Sequence, residues 1–183
     1  EIIFTGIAGH AGTVPMDMRH DALCCASEFV LATEAFATAH KNTLVATVGK
    51  LEVVHAAGNV IPGKIICSLD VRSADESMLI SSIQQIKNSC EGISSKRNVS
   101  VDWNIILQTK PVICNEQLNA LLTQSVTEKK YEVVSLVSGA GHDAVPISEV
   151  APVSMLFVRC FEGISHNPQE NAEIKDIAAA IEV

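Results

Sequence analysis

Positive charge is scarce in this sequence. Thirteen lysines and arginines stand against 21 aspartates and glutamates, for a formal net charge of −8. Such a surface repels phosphate backbones, so no nucleic acid is expected as a partner. No apolar run approaches the roughly 20 residues needed to cross a bilayer, and no membrane association is expected either. The six cysteines, Cys24, Cys25, Cys67, Cys90, Cys114 and Cys160, form no Cys-x-x-Cys pair and read as buried thiols. There is no basic, apolar and small-residue leader and no initiator methionine. The chain opens in Glu1-Ile2-Ile3-Phe4 and is expected to be a piece of something longer. Asn98-Val99-Ser100 is a glycosylation sequon, which permits a secretory location and does no more.

What is present is globular: 48% hydrophobic and 19% charged residues over 183 positions, enough for one domain or two small ones. The apolar pattern predicts a strand over 2–7 and a helix over 18–39, where Ala22, Leu23, Ala26, Phe29, Val30 and Phe36 recur at helical spacing. Strands follow over 44–54 and 61–72, then a helix over 74–90 and a strand over 99–107. This order, β-α-β-β-α-β, is the ferredoxin-like split arrangement. A polar break at Gln108-Thr109-Lys110-Pro111 sets a boundary, giving domains at 1–110 and 111–183. The second part reads as a helix (116–129), two short apolar strands (133–137 and 152–160) and a helix (174–183). Each strand ends in a glycine-bearing polar loop, the habit of α/β architecture. With so few strands it must complete a domain begun elsewhere.

Five residues stand out for chemistry. His166 follows an apolar strand, where open α/β sheets place ligands, and reads either as a metal ligand or as a solvated loop histidine. One histidine is not a site, since zinc or manganese needs three or more ligands. His10 lies in Gly9-His10-Ala11-Gly12-Thr13-Val14-Pro15-Met16. Its small neighbours leave the ring uncovered, as an oxyanion donor requires, although a plain turn histidine fits as well. Asn59 precedes the Pro62-Gly63 turn. Arg72 shares the polar face of its strand with Ser68 and Asp70; a guanidinium there suits capture of a carboxylate, or simple pairing with Asp70 or Asp75. Gly139-Ala140-Gly141-His142-Asp143 opens a helix whose backbone N–H groups suit an anion, with Asp143 equally an N-cap.

Taken in order, these segments resemble the amidase/hydantoinase–carbamoylase branch of the M20 metallopeptidase superfamily. That branch holds N-carbamoyl-amino-acid hydrolases, allantoate amidohydrolases and ureidoglycolate amidohydrolases. The resemblance rests on Gly9 through Met16 with Arg19 and Asp21-Ala22, Asn59 through Gly63, Ser68 through Arg72, Ser138 through Ala144, and Gly163 through Pro168 with Glu170. It implies a ferredoxin-like lid and dimerisation domain, followed by the last part of an α/β catalytic domain. It also implies that His166 is the final ligand of a two-metal site, manganese in the first instance and zinc as the alternative. His10 and Asn59 would hold the substrate from the lid, His10 as the oxyanion stabiliser; Arg72 would clamp a carboxylate and His142 would touch the substrate. The remaining metal ligands and the catalytic glutamate have no match here.

The expected activity is hydrolysis of a linear ureido, carbamoyl or amidine C–N bond in a small carboxylate. Met155 through Cys160 looks similar to plant ureide-degrading members, which puts allantoate or ureidoglycolate first and N-carbamoyl-L-amino acids second. The endoplasmic reticulum is the expected location if the source is plant-like, the cytoplasm if bacterial. A homodimer through the lid is expected, and the resemblance implies that His10 and Asn59 reach into the partner subunit's site while Arg72 and His166 serve their own. The competing reading is a truncated, non-catalytic lid that serves only for dimerisation.

Overall fold

The computed structural model describes residues 1–183. The chain divides into two compact units, Glu1–Pro111 and Val112–Val183. The first holds strands β1 (Ile2–Thr5) and β2 (Gly9–His10), helix α1 (Ala22–Ala39), and strands β3 (Val45–Thr47), β4 (Leu51–Val53), β5 (Val60–Ile61), β6 (Lys64–Cys67) and β7 (Asp70–Arg72). Helix α2 (Glu76–Arg97) and strand β8 (Ser100–Trp103) complete it.

Four strands form one antiparallel sheet in the order β4-β6-β1-β8. Its register sets Ile2 opposite both Cys67 and Trp103, and Phe4 opposite both Ile65 and Val101. The alternation read from the sequence therefore delivers one apolar face, and α1 and α2 cover it. Between sheet and helices lie Ile2, Phe4, Ala22, Cys25, Ala26, Phe29, Ile65, Cys67, Ile86, Cys90, Ile93 and Val99. Phe29 sits in the middle, its ring 5.7 Å from Phe4 and edge-on to Trp103 at 6.4 Å. Burial pushes the Cys67 thiol up to about 11 and the Cys90 thiol up to about 12, so both are inert at neutral pH.

Local chemistry fixes the helix ends. Asp21 caps α1, its Oδ1 accepting from the Leu23 and Cys24 N–H groups at 2.9 and 3.0 Å. The helix thus begins four residues later than the periodicity suggests, and Met16–Met18 forms a separate 3-10 turn. Asp75 caps α2 in the same way, through Ser77 and Met78. That helix runs past Cys90 because Ile93 and Ser94 continue its buried stripe, and it stops at Asn98, which is left-handed at φ 50°.

Two expected strands are each interrupted. Residues 44–54 and 61–72 do pair antiparallel, as β3 with β7 and β4 with β6. Between those ladders three residues (48–50) intervene on one strand and two (68–69) on the other. The extra residue makes a bulge within residues 48–50, and it reverses which side chains face inward. Ala46, Val48 and Val53 consequently all pack on the core despite their opposite parity.

α1 also corrects the expectation about apolar runs. Over its 18 residues it carries only Glu28 and Glu34 as charges and is apolar enough, by length and composition, to span a bilayer. Here Ala22, Cys25, Ala26, Phe29 and Thr33 are buried, as in a core helix. Thr33 Oγ1 is buried without a hydrogen-bond partner. Replacing Thr33 by valine keeps the shape and removes that desolvated hydroxyl, so Thr33→Val is expected to stabilise the protein by about 1 kcal/mol. Chemical denaturation checks this, and a loss of stability would show that the hydroxyl is satisfied.

The second unit contains helices α3 (Glu116–Glu128), α4 (Ala144–Ile147) and α5 (Ile174–Glu182). Asn115 caps α3 through the Leu118 N–H at 3.1 Å, and Ser125 Oγ donates to the carbonyl of Val183 beyond α5. The two strands expected over 133–137 and 152–160 are not formed. An extended segment becomes a strand only when a neighbour takes up its N–H and C=O groups; here a single bond, from the Asn115 N–H to the Val153 carbonyl at 2.8 Å, reaches the second segment, and no ladder forms. Val134, Leu136, Val137 and Phe157 are accordingly exposed, and no residue of this unit is buried.

Candidate functional site

His10 and Asn59 are brought together by a ribbon too short to show any periodicity. β2 and β5 pair over two residues, Gly9 with Ile61 and His10 with Val60, and the Ala11 N–H extends the pairing to the Asn59 carbonyl at 2.9 Å. Two glycines allow the close approach. Gly6 N–H donates to the Gly63 carbonyl at 2.8 Å. A Cβ on Gly6 would meet the His20 carbonyl oxygen at 1.9 Å, and one on Gly63 would meet the Ala8 nitrogen at 2.8 Å. The invariable Cβ of any other residue would therefore push the ribbon off its sheet.

Past His10 the chain turns back, with the Thr13 and Val14 N–H groups both donating to the His10 carbonyl. The same turn aims the Gly12 N–H at His10 Nδ1, 3.0 Å away. A backbone N–H is only a donor, so Nδ1 must accept and the ring proton resides on Nε2. The exposed edge of His10 is thus an N–H donor, the form an oxyanion stabiliser requires. Asn59 presents an exposed amide from the turn just before β5.

Arg72 lies on a different ladder, opposite Val45 on β3. Its Nε and Nη2 donate to the two oxygens of Asp70 at 2.9 and 2.6 Å. This fork holds the Asp70 carboxyl below the usual carboxylate range and raises Arg72 in turn. Of the pairings open from sequence, Asp70 is the one formed. A substrate carboxylate at Arg72 would share the guanidinium with Asp70 or displace it.

In the second unit, α4 is a single turn and Asp143 makes no side-chain cap. A helix that short has little macrodipole, so no anion site is built at its N-terminus. What the loop builds is a pair: Ser138 Oγ lies 3.0 Å from His142 Nε2 while accepting from the Ala140 N–H at 3.3 Å. His166 sits in the left-handed region at φ 57°, shortly after Glu162 (φ 50°) and Gly163 (φ 70°). Its Nδ1 is 2.8 Å from Ser165 Oγ, and its backbone N–H donates to Glu170 Oε2 at 2.9 Å. That leaves Nε2 for a ligand. No group of three or more His, Cys, Asp or Glu side chains is assembled for a metal ion, so the residues of this chain do not by themselves fit a metal centre. The partners Gly12, Ser138 and Ser165 escaped sequence reasoning because each acts through a turn of backbone that leaves no periodic trace.

The pattern of Peptidase family M20/M25/M40 matches residues 7–183. The chain is 36% identical over 184 residues to the N-carbamoyl-L-amino-acid amidohydrolase of Pseudomonas sp. (strain NS671), covering all of this chain and 44% of that protein. It is 34% identical to allantoate deiminase 1 of Glycine max, covering 98% of this chain and 43% of the relative. The crystal structure of an amidase of the hydantoinase/carbamoylase family from Burkholderia vietnamiensis superposes with a TM-score of 0.93 at 34% identity, over 99% of this chain and 44% of the other. The chain spans less than half the length of the curated relatives it matches.

Proposed function

We propose, from the fact that this chain belongs to peptidase family M20/M25/M40, that it supplies the lid and the C-terminal catalytic segment of an amidohydrolase. The reaction is hydrolysis of a ureido or carbamoyl C–N bond in a small carboxylate substrate. The observation that carries this reading is the Gly12 N–H on His10 Nδ1, which leaves Nε2–H facing outward as a donor beside Asn59. In the reaction His10 stabilises the oxygen that gains charge as water adds to the carbonyl, Asn59 orients the scissile group, and Arg72 holds the carboxylate.

The strand order β4-β6-β1-β8 with two helices on one face supports reading the first unit as the ferredoxin-like lid. The unpaired apolar segments 133–137 and 152–160 support reading the second as one part of a larger sheet. The metal dependence belongs to this proposal. His166 is the ligand this chain offers, and the other ligands come from outside it. Allantoate or ureidoglycolate is the first substrate choice, and the 36% identity to an N-carbamoyl-L-amino-acid amidohydrolase favours that class second.

Steady-state kinetics of the complete protein on these three substrates test the reading, and Arg72→Lys sharpens the test. A point charge replaces a planar fork, so kcat/KM should fall by an amount equivalent to about 1–3 kcal/mol. Turnover of none of the three, or an Arg72→Lys variant with unchanged kcat/KM, would contradict the proposal.

A further inference from the structure

Arg19 touches no substrate in the reading above, yet it is the side chain tied most closely into the His10 turn. It is half-buried between the 3-10 turn Met16–Met18 and the Asp21 cap of α1. Its Nη2 donates to the Ala11 carbonyl at 2.6 Å and its Nε to the Val14 carbonyl at 3.1 Å. Two carbonyl dipoles converging on one point repel each other unless a cation's donors stand between them, and the planar guanidinium fork has the geometry to do so. Ala11 is held through both of its backbone groups, its N–H donating to the Asn59 carbonyl and its carbonyl accepting from Arg19. Gly12, the next residue, carries the N–H that caps His10 Nδ1.

We infer that Arg19 is a positioning residue. It folds the Ala11–Val14 turn about its guanidinium, and this both holds Asn59 beside His10 and fixes the His10 ring as an Nε2–H donor. The catalytic consequence rests on the proposed role of His10; the geometric consequence does not.

The test uses the complete protein with Arg19→Ala and Arg19→Lys, and Arg97→Ala as control. Arg97 pairs with Glu28 on α1 and makes no bond to the turn. Nitrogen NMR of the labelled imidazoles, at a pH where the ring is neutral, reports the His10 tautomer directly. Wild type and Arg97→Ala are expected to show His10 protonated on Nε2 alone. Arg19→Ala is expected to show a mixture of tautomers, with kcat down by about 100-fold and KM changed by less than about threefold, because the donor is misplaced rather than the binding groups removed. Methylguanidinium added to Arg19→Ala should recover part of the rate. Arg19→Lys keeps the charge and the apolar stem, and it carries the test if the alanine variant does not fold; a loss of about tenfold in kcat, with a partly mixed tautomer, is expected there. A single Nε2–H tautomer and unchanged kcat in the variants would overturn the inference. A mixed tautomer with unchanged kcat, together with unchanged kcat in His10→Ala, would leave Arg19 as the positioning residue and remove His10 from the chemistry.

Discussion

His10→Ala in the complete protein is expected to lower kcat by about 100- to 1000-fold while KM stays near its wild-type value, the usual cost of removing one donor from an oxyanion site. The effect falls on kcat because the bond from Nε2–H strengthens only as the carbonyl oxygen gains charge. The structure already commits the ring to this form through the Gly12 N–H at 3.0 Å. His10→Gln separates the presence of a neutral donor from its placement. Its amide can donate but is not held by the Gly12 N–H, so it should recover only part of the loss. A His10→Ala enzyme with raised KM and intact kcat would make His10 a ground-state binding group instead.

Phe29→Ala is expected to be the most damaging single change to the first unit. Phe29 is fully buried, and its ring touches Phe4 on β1 and Trp103 on β8, so one side chain joins α1 to two strands. Truncation forfeits the transfer free energy of the ring and leaves a cavity that two rigid neighbours cannot collapse into, at about 3–5 kcal/mol. For a unit of this size Tm should drop by roughly 15 °C or more. Leu31, two residues along the same helix and 65% exposed, is the control, and its alanine variant should change stability by no more than about 0.5 kcal/mol. Equal melting temperatures for the two variants would mean that the core is not organised around α1.

The sequence made much of this legible wherever a periodic pattern met its partner inside the chain. Helix α1, helix α2 and strands β1, β6 and β8 follow from apolar spacing, since the faces that spacing defines do pack together. The segments 133–137 and 152–160 have the same apolar character but no ladder, because apolarity records a preference for burial and says nothing of which strand will pair. The bulge within residues 48–50 leaves no trace because one extra residue does not disturb the hydrophobicity of either strand. At the site, residue types were legible and their partners were not. The sequence marks His10, Asn59, Arg72, His142 and His166 as candidates, and it names Asp70 as a possible partner for Arg72. The Gly12 N–H on His10 and the Ser138 hydroxyl on His142 depend on turn geometry, which the sequence marks only by its glycines and serine.

The proposal that this chain forms a shared site in a homodimer, with His10 reaching the partner's centre while His166 serves its own, is tested most directly by mixing two complete but inactive variants, His10→Ala and His166→Ala. In a mixed dimer one site would combine an intact His166 from one chain with an intact His10 from the other, and the second site would carry both lesions. After dissociation and random reassembly, activity should return to about a quarter of wild type, since half the dimers are mixed and half their sites are whole. If both residues act within one chain, every site keeps a lesion; no recovery in mixed dimers verified by mass would contradict the shared site.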